Sequence, residues 1–277
     1  MKILLTGSTG FVGKHLVKLL EENNYEVYRI VRENKGSENK HVWDFKGLLP
    51  SIPECDIVVH LAAYVNFGAD FNIEQYIVNT VSTLKLLNYA KTYNAYFIFA
   101  SMVGVHGTKY PQVSSDTPIA PENHYAVSKY LAEQAIKTCS DNYSILRICG
   151  IYGIDGPPHL GLNKAISDAV YRKGPILRGS GSAKRNYICV LDVARWIFSL
   201  VQKYDEMSRE EKIQETLYLA GPEIMTIEEY LQTIVDTVLP GMELTRIKGE
   251  ESSDLIVDAS PYPFDLRTFR EYLISLI

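Results

Sequence analysis

The chain opens Lys2-Ile3-Leu4-Leu5-Thr6-Gly7-Ser8-Thr9-Gly10-Phe11-Val12-Gly13, and the reading of this stretch decides the fold class. An apolar run of strand length ends at a turn with three glycines. An amphipathic run follows, with Phe11, Val12, Leu16, Leu19 and Leu20 on helical spacing. Strand, tight loop and helix in that order leave backbone N–H groups facing outward at the helix start, where they attract phosphate. A Cβ at Gly7 would obstruct the turn, one at Gly10 the approach of a pyrophosphate, and one at Gly13 the packing of helix on strand. Thr9, Phe11 and Val12 lie between these glycines and belong to the same loop. The spacing G-x-x-G-x-x-G is one residue longer at its first gap than the G-x-G-x-x-G fingerprint. Taken alone it is equally readable as an ordinary glycine-rich turn; its place directly after an N-terminal strand favours a dinucleotide.

The second strand, Glu26 to Val31, should end beside the adenosine ribose, where an acidic residue would bond the 2′-hydroxyl of NAD. Arg32 follows instead, with Lys35 nearby. A guanidinium there suits the 2′-phosphate of NADP through bidentate, charge-assisted bonds, so NADP is expected in preference to NAD; a solvated loop arginine is the other reading.

Further along stands Tyr125-Ala-Val-Ser-Lys129. Residues four apart share a helix face. A phenol with pKa near 10 is a poor base at neutral pH, and a lysine one turn away supplies the charge that would favour the phenolate. The stretch Tyr125–Cys139 has helical periodicity, with Val127, Leu131, Ala135 and Ile136 available for its buried side. Tyr125 and Lys129 are the candidate proton-transfer pair, Lys129 also being able to hold a ribose hydroxyl.

Strands are predicted at 2–6, 26–31, 40–43, 56–60, 95–100 and 143–147, and helices at 11–23, 73–93 and 125–139. Such alternation predicts a parallel sheet with its ligand crevice at the strand C-termini, where Gly7, Ala62, Ser101 and Arg147 would gather. Past Gly153 the pattern changes to a turn-rich linker through Gly161, then helices at 163–172, 193–203, 226–239 and 265–276, with Pro261 and Pro263 between the last two.

Several segments together resemble an extended short-chain dehydrogenase/reductase of the NAD-dependent epimerase/dehydratase family. Gly7, Gly10 and Gly13 correspond to its cofactor loop, and Asp44-Phe45 to the residues that contact adenine after the third strand. His60-Leu61-Ala62-Ala63 is similar to its H-L-A-A turn, whose small residues let the main chain run close to the cofactor. Asn79 matches a helix asparagine that braces the active-site strand, and Leu146-Arg147 with Tyr152-Gly153 its L-R-x-x-x-x-Y-G element. Gly179-Ser-Gly181-Ser-Ala-Lys-Arg185-Asn-Tyr-Ile-Cys-Val190-Leu-Asp192-Val-Ala194 resembles G-D-G-x-x-x-R-D-F-I-H-V-x-D-V-A. The resemblance implies an α/β fold, a Rossmann-type doubly wound parallel sheet with a small discontinuous C-terminal substrate lobe. The expected division is 1–153 plus about 185–205 for the dinucleotide and 154–184 plus about 206–277 for substrate. Arg185 is the implied clamp on the diphosphate of a nucleotide-sugar substrate, and Asp192 is read as the N-cap of the helix after it. A homodimer through helices 73–93 and 125–139 is also implied.

The chain departs from the family pattern in four places. Counting back from Gly107, the position of the hydrogen-bond donor to the reacting oxygen holds Met102; Ser101, one residue earlier, reaches the site only if the strand end is bulged or twisted. Ser101 is nevertheless the third catalytic candidate. Gly150 stands where asparagine is usual, His106 replaces a tyrosine and Cys189 a histidine. His106 reads as a loop histidine with no role, a proton donor being the alternative.

The length of 277 residues fits one α/β body with a modest second lobe, and a net charge of −5 supplies no basic field for nucleic acid or acidic membrane. The N-terminal apolar run breaks at Thr6-Gly7, and no run approaches the roughly 18 residues of a membrane span. Cys55, Cys139, Cys149 and Cys189 are scattered without metal-ligand spacing. A cytoplasmic protein without metal is expected. Its expected chemistry is reduction of a 4-keto group on a nucleotide-activated deoxysugar, with a UDP-glucose-4-epimerase-like reaction second. Dehydration ranks lower because Val103-Gly104 supplies no acid. A sensor of NADP without chemistry is the non-enzymatic alternative.

Overall fold

The computed structural model describes residues 1–33, 39–68, 70–208 and 210–277; Lys35 lies outside them. Seven strands form one sheet: β1 (Lys2–Thr6), β2 (Glu26–Val31), β3 (Lys40–Val42), β4 (Ile57–His60), β5 (Tyr96–Met102), β6 (Tyr143–Ile148) and β7 (Gln214–Leu219). Their spatial order is β7-β6-β5-β4-β1-β2-β3. β1 runs parallel to β2 on one side and to β4 on the other, and the β2–β3 and β4–β5 pairs are parallel too. The winding therefore reverses between β1 and β4, the place where such sheets open a crevice. Thr6 and His60 are register partners there, so Gly7 and Leu61 leave the sheet side by side.

The apolar runs explain the central position of these strands. Ile3, Leu4, Leu5, Ile57, Val58 and Val59 are fully buried, as expected where helices cover both faces. Helix α1 (Gly13–Glu22) buries Leu16, Val17 and Leu20. The predicted helix 73–93 is interrupted: α2 (Ile73–Tyr76) passes into a π-turn at Ile77–Val81 before α3 (Ser82–Thr92). Small polar residues cause local competition here, since the Ser82 and Thr83 hydroxyls donate to the carbonyls of Val78 and Asn79. Helix α4 (His124–Cys139) is capped by Asn123, whose side chain accepts the Ala126 N–H.

The chain divides into two compact units, one of 1–107, 119–147 and 194–217, the other of 108–118, 148–193 and 218–277. These boundaries differ from the expected ones. Ile188–Cys189 pairs with Ile151–Tyr152, which keeps both stretches in the second unit, whereas residues 214–217 belong to the main sheet through β7. The edge strand β7 escaped sequence reading because its burial is incomplete and it follows a highly charged run. The second unit has its own core, in which Tyr152, Tyr230, Phe269 and Tyr272 meet edge to face. It contains α5 (Gly161–Val170), the first turn of α6 (Val190–Glu206), α7 (Ile227–Val238) and α8 (Phe269–Ile274).

Because α6 begins at Val190, Asp192 is in its first turn and is not the cap expected. Its buried carboxylate instead accepts the Arg267 N–H at 2.8 Å and pairs with the Arg267 guanidinium. Among the described residues no helix is long and apolar enough to cross a membrane, and no His, Cys, Asp and Glu cluster could hold a metal.

Candidate active site

The glycine loop and the turn after β4 are packed against one another. Gly7 has φ +74°, and a Cβ on it would come within 2.8 Å of the Ala62 nitrogen. At Gly13 an added Cβ would lie 2.0 Å from the Gly7 carbonyl oxygen, so the loop's own backbone excludes it; at Gly10 the nearest atom, the same oxygen, is 3.1 Å away. Helix α1 starts at Gly13 without a side-chain cap; the Lys14 N–H donates to the Gly10 carbonyl and the His15 N–H to the Val12 carbonyl, each at 3.1 Å. A groove of about 490 Å³ opens at this point. It brings together Gly7, Thr9, Gly10, Arg32, Asp44, Phe45, Leu61, Ala62 and Ala63 from the expected cofactor set. Phe11, Val12 and Gly13 form the turn into α1.

At the far end of the groove the Asp44 carboxylate accepts the N–H groups of Gly47 and Lys46, which hold it below the ordinary carboxylate range. Phe45 adopts φ +67° and lies buried 4.7 Å from the Trp43 ring. The Lys46 ammonium meets Glu74 at 2.5 Å across the groove mouth, a pair the sequence reading missed. Arg32 is exposed there, its guanidinium held by no other side chain among the described residues.

Asn79 sits behind the groove. Its side-chain oxygen accepts the Tyr64 N–H at 2.7 Å, and its amide donates to the Tyr64 carbonyl and to Ser128 Oγ. The groove wall is thereby tied to α4, the helix that carries Tyr125 and Lys129. Tyr125 is half-buried, with the Phe67 ring edge-on at 5.3 Å, and burial pushes its phenol up to about 12. Lys129 is 2% exposed, its ammonium 3.9 Å above the Phe99 ring, with no hydrogen-bond partner among the described residues. Burial draws Lys129 down to about 7, opposed by the Glu133 carboxylate. The activation expected from sequence, Lys129 lowering the phenol, is not present in the protein alone; the desolvation of Tyr125 prevails.

Ser101 is turned elsewhere. Strand β5 runs on through Met102, and the Ser101 hydroxyl donates to Glu133 at 2.5 Å. Its single proton is thus spent inside the protein. Arg147, expected on the rim, is instead buried in β6 and clasps Glu133 through Nε and Nη2, at 2.7 Å for the shorter contact. Arg147 Nη1 donates to His106 Nε2 at 3.0 Å, which makes His106 a buried acceptor in place of a loop histidine. Glu133 had a legible signal, standing four residues past Lys129 and eight past Tyr125, on the same helix face.

In the second unit, Arg185 donates through Nη1 to the backbone carbonyls of Lys184 and Ser253. Gly150 has a physical reason: a Cβ there would lie 2.4 Å from the Tyr187 ring. Tyr187 also lines a cavity of about 390 Å³ with Leu162, Leu177 and Tyr230, bordered by Lys164, Asp168 and Arg178.

Comparison with known proteins agrees with this geometry. The NAD dependent epimerase/dehydratase family model matches residues 3–214. A GDP-6-deoxy-D-talose 4-dehydrogenase of Aggregatibacter actinomycetemcomitans is 31% identical over 94% of this chain and 89% of its own. A putative UDP-glucose 4-epimerase of Methanocaldococcus jannaschii is 30% identical over 70% of this chain and 71% of its own. Among solved structures, a UDP-N-acetylglucosamine 4-epimerase from Bacillus cereus superposes with TM-score 0.83 at 21% identity, covering 100% of this chain and 98% of its own. The doubly wound sheet, the glycine groove and the family match lead to one conclusion: the chain belongs to the NAD-dependent epimerase/dehydratase family of extended short-chain dehydrogenases/reductases.

Proposed function

We propose that the protein reduces a 4-keto group on a nucleotide-activated deoxysugar, using NADPH in preference to NADH. The observation that carries this reading is the half-buried Tyr125 on the same helix face as a buried Lys129, whose ammonium finds no hydrogen-bond acceptor among the described residues. A buried ammonium without a hydrogen-bond acceptor is costly unless a ligand supplies one. The residues fit a nicotinamide dinucleotide: the Gly7–Ala62 packing lets backbone reach a pyrophosphate, the α1 start is uncapped, and Asp44 and Arg32 stand at the adenosine end. Lys129 would hold the nicotinamide ribose and Arg32 the 2′-phosphate. When bound, such a cofactor supplies hydride to the sugar carbon.

The phenol at about 12 carries its proton at neutral pH, so Tyr125 serves as the acid that protonates the ketone oxygen. That direction, reduction, needs no prior phenolate, whereas the first step of an epimerase does. With Met102 at the usual donor position and Ser101 spent on Glu133, the proton is assigned to Tyr125. The second unit's cavity, with Tyr187 and Arg178 at its border, is assigned to the substrate's nucleotide, and Arg185 to its diphosphate. The talose 4-dehydrogenase relative acts at the same sugar position. A 4-epimerase using NAD is the second reading, favoured by the Methanocaldococcus relative and by the NAD in the solved UDP-glucuronic acid 4-epimerase of Bacillus cereus.

The test is the loss of NADPH absorbance when purified protein meets GDP- or dTDP-linked 4-keto-6-deoxysugars. Tyr125→Phe should lower kcat at least about 100-fold while NADPH binding is kept. Equal rates for the two proteins reject the assignment. Interconversion of UDP-glucose and UDP-galactose without added cofactor selects the second reading.

A further inference from the structure

His60 is fully buried, and all its bonding partners have their protons accounted for. The Thr83 hydroxyl donates to the Asn79 carbonyl at 2.8 Å, so Thr83 Oγ1 can only accept from His60, and His60 Nε2 carries the proton of their 3.0 Å bond. On the other side of the ring, Thr6 Oγ1 lies 2.6 Å from Nδ1 and accepts the Ala62 N–H at 3.1 Å. Nδ1 is therefore bare and takes the Thr6 proton. Asn79 continues the path: it is locked to both backbone groups of Tyr64 and to Ser128 Oγ, and the Ser128 hydroxyl donates to the Tyr125 carbonyl at 2.8 Å.

We propose that His60 is a positioning residue, held as the neutral Nε2–H tautomer at the centre of a buried relay that fixes the Ala62–Tyr64 turn relative to the first turn of the Tyr125 helix. The relay rests on the dinucleotide reading of that turn. It explains why an imidazole stands at the end of β4: an aliphatic side chain would fill the space among Phe97 and Phe99 but would leave the Thr6 hydroxyl, which holds the Ala62 N–H, without an acceptor, and would remove the donor to Thr83. A protonated ring would point its Nδ1–H at the Thr6 oxygen and displace the Thr6 proton from the acceptor it now has. Burial and the Lys129 ammonium, itself beside Glu133, both oppose that charge, and the nearest rings, Phe97 and Phe99, offer no carboxylate to balance it.

Three full-length proteins test the relay: wild type, His60→Leu and His60→Gln, with Thr83→Val as a second break should the leucine variant fail to fold. In wild type labelled with ¹⁵N at histidine, the His60 signals should show the Nε2–H tautomer unchanged from about pH 5 to about pH 9. His60→Leu, or Thr83→Val, should weaken dinucleotide binding and lower kcat by at least about tenfold each, with partial recovery in His60→Gln, whose amide can both accept and donate. A His60 that titrates in its ordinary range, or a folded leucine variant within about twofold of wild type in both quantities, overturns the proposal. The tautomer measurement needs no substrate: if it reads as expected while no nucleotide sugar is turned over, the substrate assignment fails and the relay stands.

Discussion

A single lysine carries two opposed demands. Lys129 drops to about 7 in the fold from an ordinary 10.5, so the folded state binds fewer protons than the unfolded chain between those values. Stability from this group therefore rises with pH across that window and is lowest below pH 7, where the buried ammonium is charged. Lys129→Met should raise Tm at pH 6, with the gain narrowing as pH climbs toward 10, while turnover falls at least about 100-fold; thermal melts at three pH values decide it. A lower Tm for the variant at every pH would refute this account of the burial. Arg32 makes a separate prediction: Arg32→Asp should shift the ratio of NADPH to NADH affinity by at least about tenfold toward NADH, read by cofactor fluorescence titration. At this scale the tight approach of backbone at Gly7 and Gly13 and the shared helix of Tyr125 and Lys129 were legible, because glycine spacing and helical periodicity are local. Ser101 was not, since the direction of its hydroxyl depends on Glu133, which arrives from another element.

Helix starts are set by caps whose loss can be compared directly. Asn123 caps α4, and Thr226 caps α7 through a reciprocal pair with Glu229. Alanine at either position should cost about 1 kcal/mol of stability in denaturant titrations. The expected difference lies in catalysis: Asn123→Ala should also lower kcat severalfold, since the first turn it fixes carries Tyr125, whereas Thr226→Ala should leave kcat unchanged. Strands β1 and β4 were readable from continuous apolar runs. The π-turn was not, because helical periodicity within a few residues cannot register one additional residue in a turn whose cause is Ser82 and Thr83 bonding back to the main chain.

Across the molecule, sequence alternation sufficed for a parallel sheet with its crevice at the strand C-termini, whereas the edge strand β7 and the extent of each unit depended on pairings between distant segments, such as Ile188–Cys189 with Ile151–Tyr152, that no local pattern encodes. The segments of the two units are interleaved along the chain, with changes of unit after residues 107, 118, 147, 193 and 217. No single cut can release a self-sufficient half. A fragment ending at residue 147 would retain the glycine groove, Tyr125 and Lys129, yet would lack 194–217, and with them β7 and most of α6. Expressed alone, that fragment should be insoluble or bind no dinucleotide, and adding 148–277 as a separate polypeptide during refolding should restore binding; gel filtration and cofactor titration read both. The polypeptide is thus indivisible in the order in which a ribosome makes it: the nucleotide-binding body is unfinished until the chain has gone out into the other unit and come back.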